Sequence, residues 1–171
     1  VRETTEGPAR IILENSAGQG NVVGHTMPQL ARIIQMAGRD RLQVCLDTAH
    51  AFAAGYTIHT QTGLDGLLDE AGTGFGLDMV SVIHLNGSGS DCGSHVDRHD
   101  DIGRGHIGRE GMRVILSDPR LRDLPFIMET PKEDGSALES DLTNLRRVRR
   151  ILPGEIRPEL PPQFKDTGFE Q

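Results

Sequence analysis

The chain alternates between short, mostly apolar runs and longer stretches in which apolar residues recur every three or four positions. The short runs span residues 11–13, 44–46, 80–83 and 126–128. Near-continuous apolar character is typical of strands that are covered on both faces, as in a parallel sheet. The pattern therefore predicts four buried strands.

Each run precedes a stretch with helical spacing. Thr26 is placed to cap the first helix, and Gly38 is placed to end it. Ser136 and Glu139 form a capping-box pattern at the start of the fourth helix. The apolar positions are Leu30, Ile33, Ile34 and Ala37 in the first predicted helix, and Leu64, Leu67 and Leu68 in the second, which ends near Gly72. They are Met112, Ile115 and Leu116 in the third helix, and Leu138, Leu142, Leu145 and Val148 in the fourth.

This alternation of strands and helices predicts the fold class. It implies parallel strands joined by right-handed crossovers. Four β/α units amount to half of an eight-unit barrel, so we expect an α/β fold of the (β/α)8 TIM-barrel type. Residues 1–152 would form this half-barrel. Residues 153–171 contain Pro153, Pro158, Pro161 and Pro162, and we expect an irregular tail there.

Composition indicates a globular protein, because 36% of the 171 residues are hydrophobic and 25% are charged. No apolar run approaches the roughly 20 residues that cross a bilayer, and the N-terminus lacks the apolar stretch of a signal peptide. Cys45 and Cys92 are too few for a disulfide framework, so we expect a reduced, cytoplasmic setting. The missing initial Met hints that the chain has been cut from a longer one.

The formal net charge of −7 argues weakly against a nucleic-acid partner, because such proteins usually carry a basic surface. The objection weakens if the acidic residues hold metal ions, since three divalent cations would nearly neutralise the chain. Local charge then matters more than the total.

Each apolar run ends in a residue that can bind a metal ion. These residues are Glu14, Asp47, His84 and Glu129. In β/α barrels the carboxyl ends of the strands form the active-site face, and carboxylates that meet there repel one another unless cations hold them. Imidazole together with carboxylate favours zinc, with manganese or iron as substitutes.

A second set of ligands surrounds the first. His50 lies about one helical turn beyond Asp47. Asp97 and His99 are two residues apart, so they point the same way in an extended segment. His50, Asp97 and His99 would form a three-ligand site with one position open for water or phosphate.

Two glycine-rich loops follow the first and third strands, at residues 15–20 and 88–94. Glycine lets the backbone approach a bulky polyanion closely. Residues 103–108 match the dinucleotide pattern GxGxxG, but they do not directly follow a strand, and no acidic residue ends a second strand about 20 residues on. We therefore reject a dinucleotide site.

Several segments resemble the signatures of the endonuclease IV family, the second family of abasic-site endonucleases. They read ILENSAGQG at residues 12–20, VCLDTAHAFAAGY at 44–56, HLN at 84–86, GSHVDRH at 93–99, IGRGHIG at 102–108 and METP at 128–131. The match runs in the family's order from about Arg10 to Leu152. Jointly these motifs are very specific, and they identify residues 1–152 as the C-terminal half of such a barrel.

The resemblance implies a zinc-dependent deoxyribonuclease that hydrolyses the phosphodiester 5′ to abasic sites in double-stranded DNA, in base excision repair. It implies three zinc ions and a parent enzyme that is a monomer. Glu14 would bridge two ions, one of them completed by Asp47, His84 and Glu129, and the third ion would take His50, Asp97 and His99. Glu14 and Glu129 are the candidate catalytic residues, and the candidate DNA contacts are Arg98, Gly18, Gln19 and Gly20.

The sequence departs from the family's pattern in three places. Gly87, Ser88 and Gly89 stand where the family has Asp-Ser-Lys or Asp-Ala-Lys, which would remove a basic contact and a rigid turn. Ala49 and Thr57 replace a Cys and an Asp that are not ligands. The family's first four strands, with two histidines of the first metal, have no counterpart here. We therefore expect the chain alone to bind at most two metal ions tightly, to self-associate and to cut DNA poorly.

Two other functions stay open. A sugar isomerase of the same barrel type would also place Glu, Asp, His and Glu around one divalent metal, but it does not need His50, Asp97 and His99. A non-catalytic remnant that binds a metal or a partner protein is the other alternative.

The remaining candidates are assigned ordinary roles: surface positions for His25, His59, His95 and His106, a core position for Cys45, and a solvated helix face for the arginines within 146–150.

Overall fold

The computed structural model describes residues 9–132 and 136–152. Their strands are β1 (Ile11–Glu14), β2 (Leu42–Asp47), β3 (Val80–His84), β4 (Gly87–Ser88), β5 (His99–Asp100) and β6 (Phe126–Ile127). One parallel sheet contains four of them in the order β1-β2-β3-β6. Successive parallel strands are neighbours in the sheet, as in part of a β/α barrel, and the predicted fold class is confirmed.

The helices are α1 (Met27–Ala37), α2 (Thr48–Ala53), α3 (Gln61–Gly74), α4 (Gly108–Ser117) and α5 (Ala137–Ile151), and a 3-10 turn covers Leu77–Met79. The predicted helices correspond to α1, α3, α4 and α5, although α3 continues past Gly72. The short helix α2 was not predicted, and the predicted irregular tail at 153–171 lies outside the described residues. None of the helices in the described ranges is long and apolar enough to cross a membrane.

Side-chain hydrogen bonds set where two of the predicted helices begin. The Thr26 hydroxyl accepts from the backbone amide of Gln29, and the Ser136 hydroxyl accepts from the backbone amide of Glu139 at 3.1 Å. Each bond satisfies an N–H group that has no partner within its helix. Gly38 ends α1 with a φ of 79°, a left-handed conformation that favours glycine. The caps inferred from the sequence are therefore present.

Helix α2 starts where β2 ends, and Asp47 joins the two elements. Its Oδ1 accepts from the backbone amide of His50 at 2.7 Å and so caps the first turn. Ala49, Ala51 and Phe52 are buried against the rest of the domain. This packing keeps His50 at the same edge of the sheet as Asp47.

A short antiparallel pair, β4 with β5, positions the segment that carries His99. Gly87 pairs with Asp100, and Ser88 pairs with His99. A Cβ atom on residue 87 would lie 2.5 Å from the carbonyl oxygen of Asp101, which is too close for a carbon atom. Glycine at this position is therefore a packing requirement of the strand pair, a role that the sequence pattern did not indicate.

The two faces of the parallel sheet are covered unequally. The helices bury one face with a core that includes Met27, Leu30, Leu68, Met112 and Ile115. On the other face, Ile12 of β1 is 48% exposed and Ile127 of β6 is 49% exposed. The prediction that every strand is covered on both faces is wrong for these two strands, because they form the edges of the described sheet.

Candidate metal centre

The first four predicted ligands meet at the carboxyl edge of the parallel sheet. Glu14, Asp47 and His84 are the last residues of β1, β2 and β3, and Glu129 follows β6. Nδ1 of His84 lies 3.1 Å from Oε1 of Glu14 and 3.1 Å from Oε2 of Glu129. One donor atom from each of the four residues lies within 4.8 Å of the others. We call these residues the strand-end group.

His50, Asp97 and His99 lie beside the strand-end group and are called the loop group. Nε2 of His50 is 3.3 Å from Oδ2 of Asp97 and 3.3 Å from Nε2 of His99. Nε2 of His99 is 3.4 Å from Oδ1 of Asp97. Asp47 connects the two groups, because its Oδ2 lies 3.8 Å from Nδ1 of His84 and 3.9 Å from Nε2 of His99.

The separations within these groups match those between ligands of one metal ion. Nitrogen and oxygen ligands at about 2.0–2.2 Å from a tetrahedral ion lie roughly 3.3–3.6 Å from one another. In the loop group the two Nε2 atoms are 3.3 Å apart, and each lies 3.3–3.4 Å from a different oxygen of Asp97. Asp47, His50 and His99 also offer one donor atom each within 4.8 Å of one another. Imidazole nitrogen with carboxylate oxygen is a donor set that suits zinc and also manganese or iron. Both groups thus fit a metal ion in spacing and in chemistry.

Two buried asparagines hold Asp47 in place. Nδ2 of Asn15 donates to the carbonyl oxygen of Asp47 at 3.1 Å, and its Oδ1 accepts from the Asp47 amide at 2.7 Å. Nδ2 of Asn86 donates to Oδ2 of Asp47 at 2.7 Å, and its Oδ1 accepts from the backbone amide of Glu129 at 2.8 Å. Sequence reasoning gave neither residue a role. The available signal was their position, one or two residues beyond a predicted ligand at a strand end.

Backbone carbonyl groups fix the ring orientation of both histidines in the loop group. Nδ1 of His50 lies 2.9 Å from the carbonyl oxygen of Asn15, and Nδ1 of His99 lies 3.1 Å from that of Glu129. A carbonyl oxygen can only accept, so each Nδ1 carries the hydrogen and donates it. Both rings therefore turn Nε2 toward Asp97.

The carboxylates of the site favour positive charge on His50. Burial alone would lower the pKa of His50, but the hydrogen bond with Glu14 and the charges of Asp47 and Asp97 outweigh it and raise the pKa to about 9. The same bond with His50 is the main cause that lowers the pKa of Glu14. Burial raises the pKa of Asp47. The site thus attracts a positive charge even when only protons are available.

Cys45 lies against the strand-end group, with Sγ within 4.8 Å of donor atoms of Glu14 and His84. Burial, followed by the charge of Glu14, raises the pKa of the Cys45 thiol to about 12. The thiol is therefore protonated at neutral pH in the metal-free chain, which agrees with the core role inferred from the sequence.

The loop after β1, which carries three of the predicted DNA contacts, borders the loop group. Oε1 of Gln19 accepts from the backbone amide of Asp97 at 3.3 Å. Gly18 has a φ of 81°, and a Cβ atom there would lie 2.6 Å from Nδ1 of His95. Gly20 has a φ of 63° and is exposed. Both glycines thus adopt a left-handed backbone conformation that residues with a side chain rarely adopt.

Arg98, the fourth predicted DNA contact, is exposed between two residues of the loop group. Its carbonyl oxygen accepts from the amide of Gly89 at 2.8 Å. A Cβ atom on Gly89 would approach Cγ of Arg98 to 3.2 Å. Gly89 therefore leaves room for the Arg98 side chain while its amide holds the Arg98 backbone beside the loop group.

Two of the histidines expected at the surface, His25 and His59, are half-buried. The Nδ1 atoms of His25 and His59 are buried, and neither has a hydrogen-bond partner among the described residues. The His25 ring packs edge-on against His95, with centroids 5.6 Å apart. His106 is exposed, as predicted, and Nδ1 lies 3.0 Å from Oδ1 of Asp91.

Comparison with known proteins gives a consistent result. A family model described as xylose isomerase-like TIM barrel matches residues 4–150. "Probable endonuclease 4" from Methanosphaerula palustris is 43% identical over 152 residues, which cover 87% of this chain and 52% of the relative. The protein of the same name from Chloroflexus aurantiacus is 42% identical over 155 residues, which cover 90% of this chain and 54% of the relative.

Solved structures agree with the sequence relatives. Endonuclease IV from Thermus thermophilus superposes with a TM-score of 0.70 at 42% identity, covering 82% of this chain and 48% of that chain. The chain thus spans about half the length of the relatives it matches. The family match extends over every residue of the strand-end and loop groups. The chain belongs to the xylose isomerase-like TIM barrel family and, within it, to the endonuclease IV proteins.

Proposed function

We propose that this chain forms the metal-binding part of a zinc-dependent apurinic/apyrimidinic endonuclease. The whole protein would hydrolyse the phosphodiester 5′ to abasic sites in double-stranded DNA, as a step of base excision repair in the cytoplasm. The observation that carries the proposal is the meeting of two groups of nitrogen and oxygen ligands at one edge of the sheet, in a chain whose relatives are named endonuclease 4.

The two groups would hold separate zinc ions, with manganese or iron as substitutes. Oε1 of Glu14 lies 3.1 Å from Nδ1 of His84 within the strand-end group, and the Glu14 side chain is 36% exposed. We assign Glu14 as a bridging ligand between the ion of the strand-end group and a further ion, separate from the ion of the loop group. A three-zinc site would take further ligands from outside the matched half of the barrel. Bound ions would supply electrophilic stabilisation of phosphate oxygens.

Glu14 and Glu129 are the proposed catalytic carboxylates. Their side chains are 36% and 46% exposed, whereas Asp47 is fully buried, so water and a phosphate group can reach them. The lowered pKa of Glu14 keeps its carboxylate ionised at neutral pH. Glu129, the more exposed of the two carboxylates, can accept the proton that water loses as its oxygen attacks phosphorus, while Glu14 serves as a charged metal ligand. The phosphorus–oxygen bond on the 5′ side of the abasic sugar then breaks, and the leaving oxygen takes a proton from solvent.

The loop of Gly18, Gln19 and Gly20, together with Arg98, is the proposed DNA contact. The glycines allow backbone N–H groups to approach a phosphate closely, and Arg98 can supply a positive charge. These residues border the loop group through the bond between Gln19 and Asp97. The chain has a net charge of −7, so we expect DNA binding to depend on the bound metal ions.

A sugar isomerase is the second candidate, because the family is described as xylose isomerase-like. The strand-end group alone would suit its single divalent ion. The loop group argues against it, since His50, Asp97 and His99 have donor atoms 3.3–3.4 Å apart and an isomerase has no need of them. A non-catalytic metal-binding remnant is the third candidate.

Zinc analysis and an incision assay distinguish these functions. The substrate is an end-labelled duplex with one tetrahydrofuran abasic analogue, tested with the chain alone and with the half of Thermus thermophilus endonuclease IV that it does not match. We expect bound zinc, incision 5′ to the analogue with the complemented protein, and a loss of at least about a hundredfold in Glu129→Gln. His106→Ala is the matched control outside both groups. Zinc binding with no incision by the complemented protein would support the remnant, and aldose–ketose conversion would support the isomerase.

A further inference from the structure

We infer that Asn86 is a positioning residue of the metal centre, because its single buried amide fixes Asp47 and Glu129 relative to each other. The inference rests on the proposed function, since it concerns how the proposed ligands are held. Asn86 is not itself a member of either ligand group. Its contacts nevertheless reach one ligand from β2 and one from the segment after β6.

The two ends of the Asn86 amide bond to different ligands. Nδ2 donates to Oδ2 of Asp47 at 2.7 Å, and Oδ1 accepts from the backbone amide of Glu129 at 2.8 Å. Strand β3 lies between β2 and β6, so Asp47 and Glu129 are not on neighbouring strands. A planar amide has a fixed distance between its oxygen and its nitrogen. It therefore acts as a spacer between two ligands that the sheet does not pair directly.

Asn86 is held in one orientation. It is fully buried, its backbone amide donates to the Thr48 hydroxyl at 2.8 Å, and that hydroxyl donates to the Asn86 carbonyl oxygen at 2.7 Å. Rotating the side-chain amide by half a turn would place its oxygen against the Asp47 carboxylate and its NH2 group against the Glu129 amide. Both contacts would be repulsive. The observed orientation is therefore the one that the surroundings permit.

The consequence for Asp47 is a fixed carboxylate plane. Oδ1 accepts from the His50 amide at 2.7 Å, and Oδ2 accepts from Asn86 at the same distance. Oδ2 also lies 3.8 Å from Nδ1 of His84 in the strand-end group and 3.9 Å from Nε2 of His99 in the loop group. When a group that hydrogen-bonds to a metal ligand without touching the metal is removed, the metal affinity typically falls by about 10–100-fold. Asn86 has the contacts of such a group.

Cobalt binding to the 171-residue chain tests the inference, because Co²⁺ takes zinc's ligands and its visible absorption reports their geometry. Asn86→Ala removes both bonds. Ser88→Ala is the matched control: Ser88 is also buried and two residues further along, and among the described residues its hydroxyl bonds to Ser90 in the same loop. The pairing of Ser88 with His99 uses backbone groups, which the substitution keeps. The melting temperature of each metal-free variant is measured in parallel.

We expect Asn86→Ala to weaken Co²⁺ binding at least about tenfold and to change the absorption spectrum, with Ser88→Ala within about twofold of the parent. Unchanged affinity and spectrum in Asn86→Ala, or an equal loss in Ser88→Ala, would overturn the inference and leave the metal centre standing. A parent that binds no Co²⁺ would overturn both. If Asn86→Ala does not fold, the same measurements are made on Asn86→Ser, because the serine side chain is too short to bond to both Asp47 and Glu129. Unchanged Co²⁺ binding in Asn86→Ser also overturns the inference.

Discussion

The Nε2 atoms of His50 and His99 lie 3.3 Å apart, while Nδ1 of each ring donates to a backbone carbonyl group. Two unprotonated Nε2 atoms at this distance would bring their lone pairs together, which is unfavourable unless a cation lies between them. In the metal-free chain a proton can occupy that place. A metal ion there would receive both nitrogens and a carboxylate oxygen of Asp97.

Removal of one of these rings should remove one metal ion. We expect His99→Ala to lower the number of tightly bound zinc ions per chain by about one, because the loop group keeps only two of its donors. Zinc is counted by elemental analysis after dialysis. His106→Ala, which alters an exposed histidine outside both groups, should keep the parent value. An unchanged count in His99→Ala would contradict the loop group as a metal site.

The pKa of His50 predicts how the stability of the metal-free chain depends on pH. Its folded pKa of about 9 exceeds the ordinary value of 6.5, so the folded state binds the proton more tightly than the unfolded state. The stabilisation is complete below pH 6.5 and is lost as the pH rises through about 9. Tm measured in the presence of a chelator should fall across this window. His50→Gln should flatten the fall, and parallel curves for parent and variant would refute the assignment.

The fit of Gly87 predicts opposite effects for two glycine-to-alanine changes. In Gly87→Ala the new Cβ would lie 2.5 Å from the Asp101 carbonyl oxygen, so we expect a loss of about 1–3 kcal/mol in the free energy of unfolding. Gly66 lies in α3 with nothing within 4 Å of an added Cβ. Gly66→Ala should therefore gain about 0.5–1 kcal/mol. Urea unfolding of both variants checks the pair, and equal effects would contradict it.

The uncovered face of the sheet predicts self-association of the chain alone. Ile12 precedes Glu14 by two residues in β1, and Ile127 pairs with His84, so both exposed side chains share the face of the strand-end group. The outer edges of β1 and β6 also have free backbone groups within the described sheet. We expect dimers or larger species in sedimentation velocity and little incision by the chain alone. Ile12→Lys with Ile127→Lys should shift the distribution toward monomer, and a monomeric parent would contradict the expectation.

Much of this arrangement follows from the sequence because its signals are local. Apolar runs that end in Glu14, Asp47 and His84 predict both the strands and the edge at which their side chains meet. Asn86 could not be found this way, since its role depends on a bond to Asp47, 39 residues earlier, and on one to Glu129, 43 residues later. The exposure of Ile12 was also missed, because an apolar run does not show whether its strand lies inside a sheet or at the edge.

The protonated thiol of Cys45 has a consequence for how the metal-free chain withstands oxidation. Peroxides attack the thiolate, and a pKa of about 12 leaves roughly one thiol in 100,000 ionised at pH 7. Burial also shields the sulfur from bulky oxidants. With an ordinary thiol pKa, the sulfur of a cysteine beside Glu14 and His84 would be the most easily oxidised atom of the centre. Its suppressed ionisation makes a small cysteine side chain tolerable at this position, and nitrogen and oxygen donors are left to bind the metal ions.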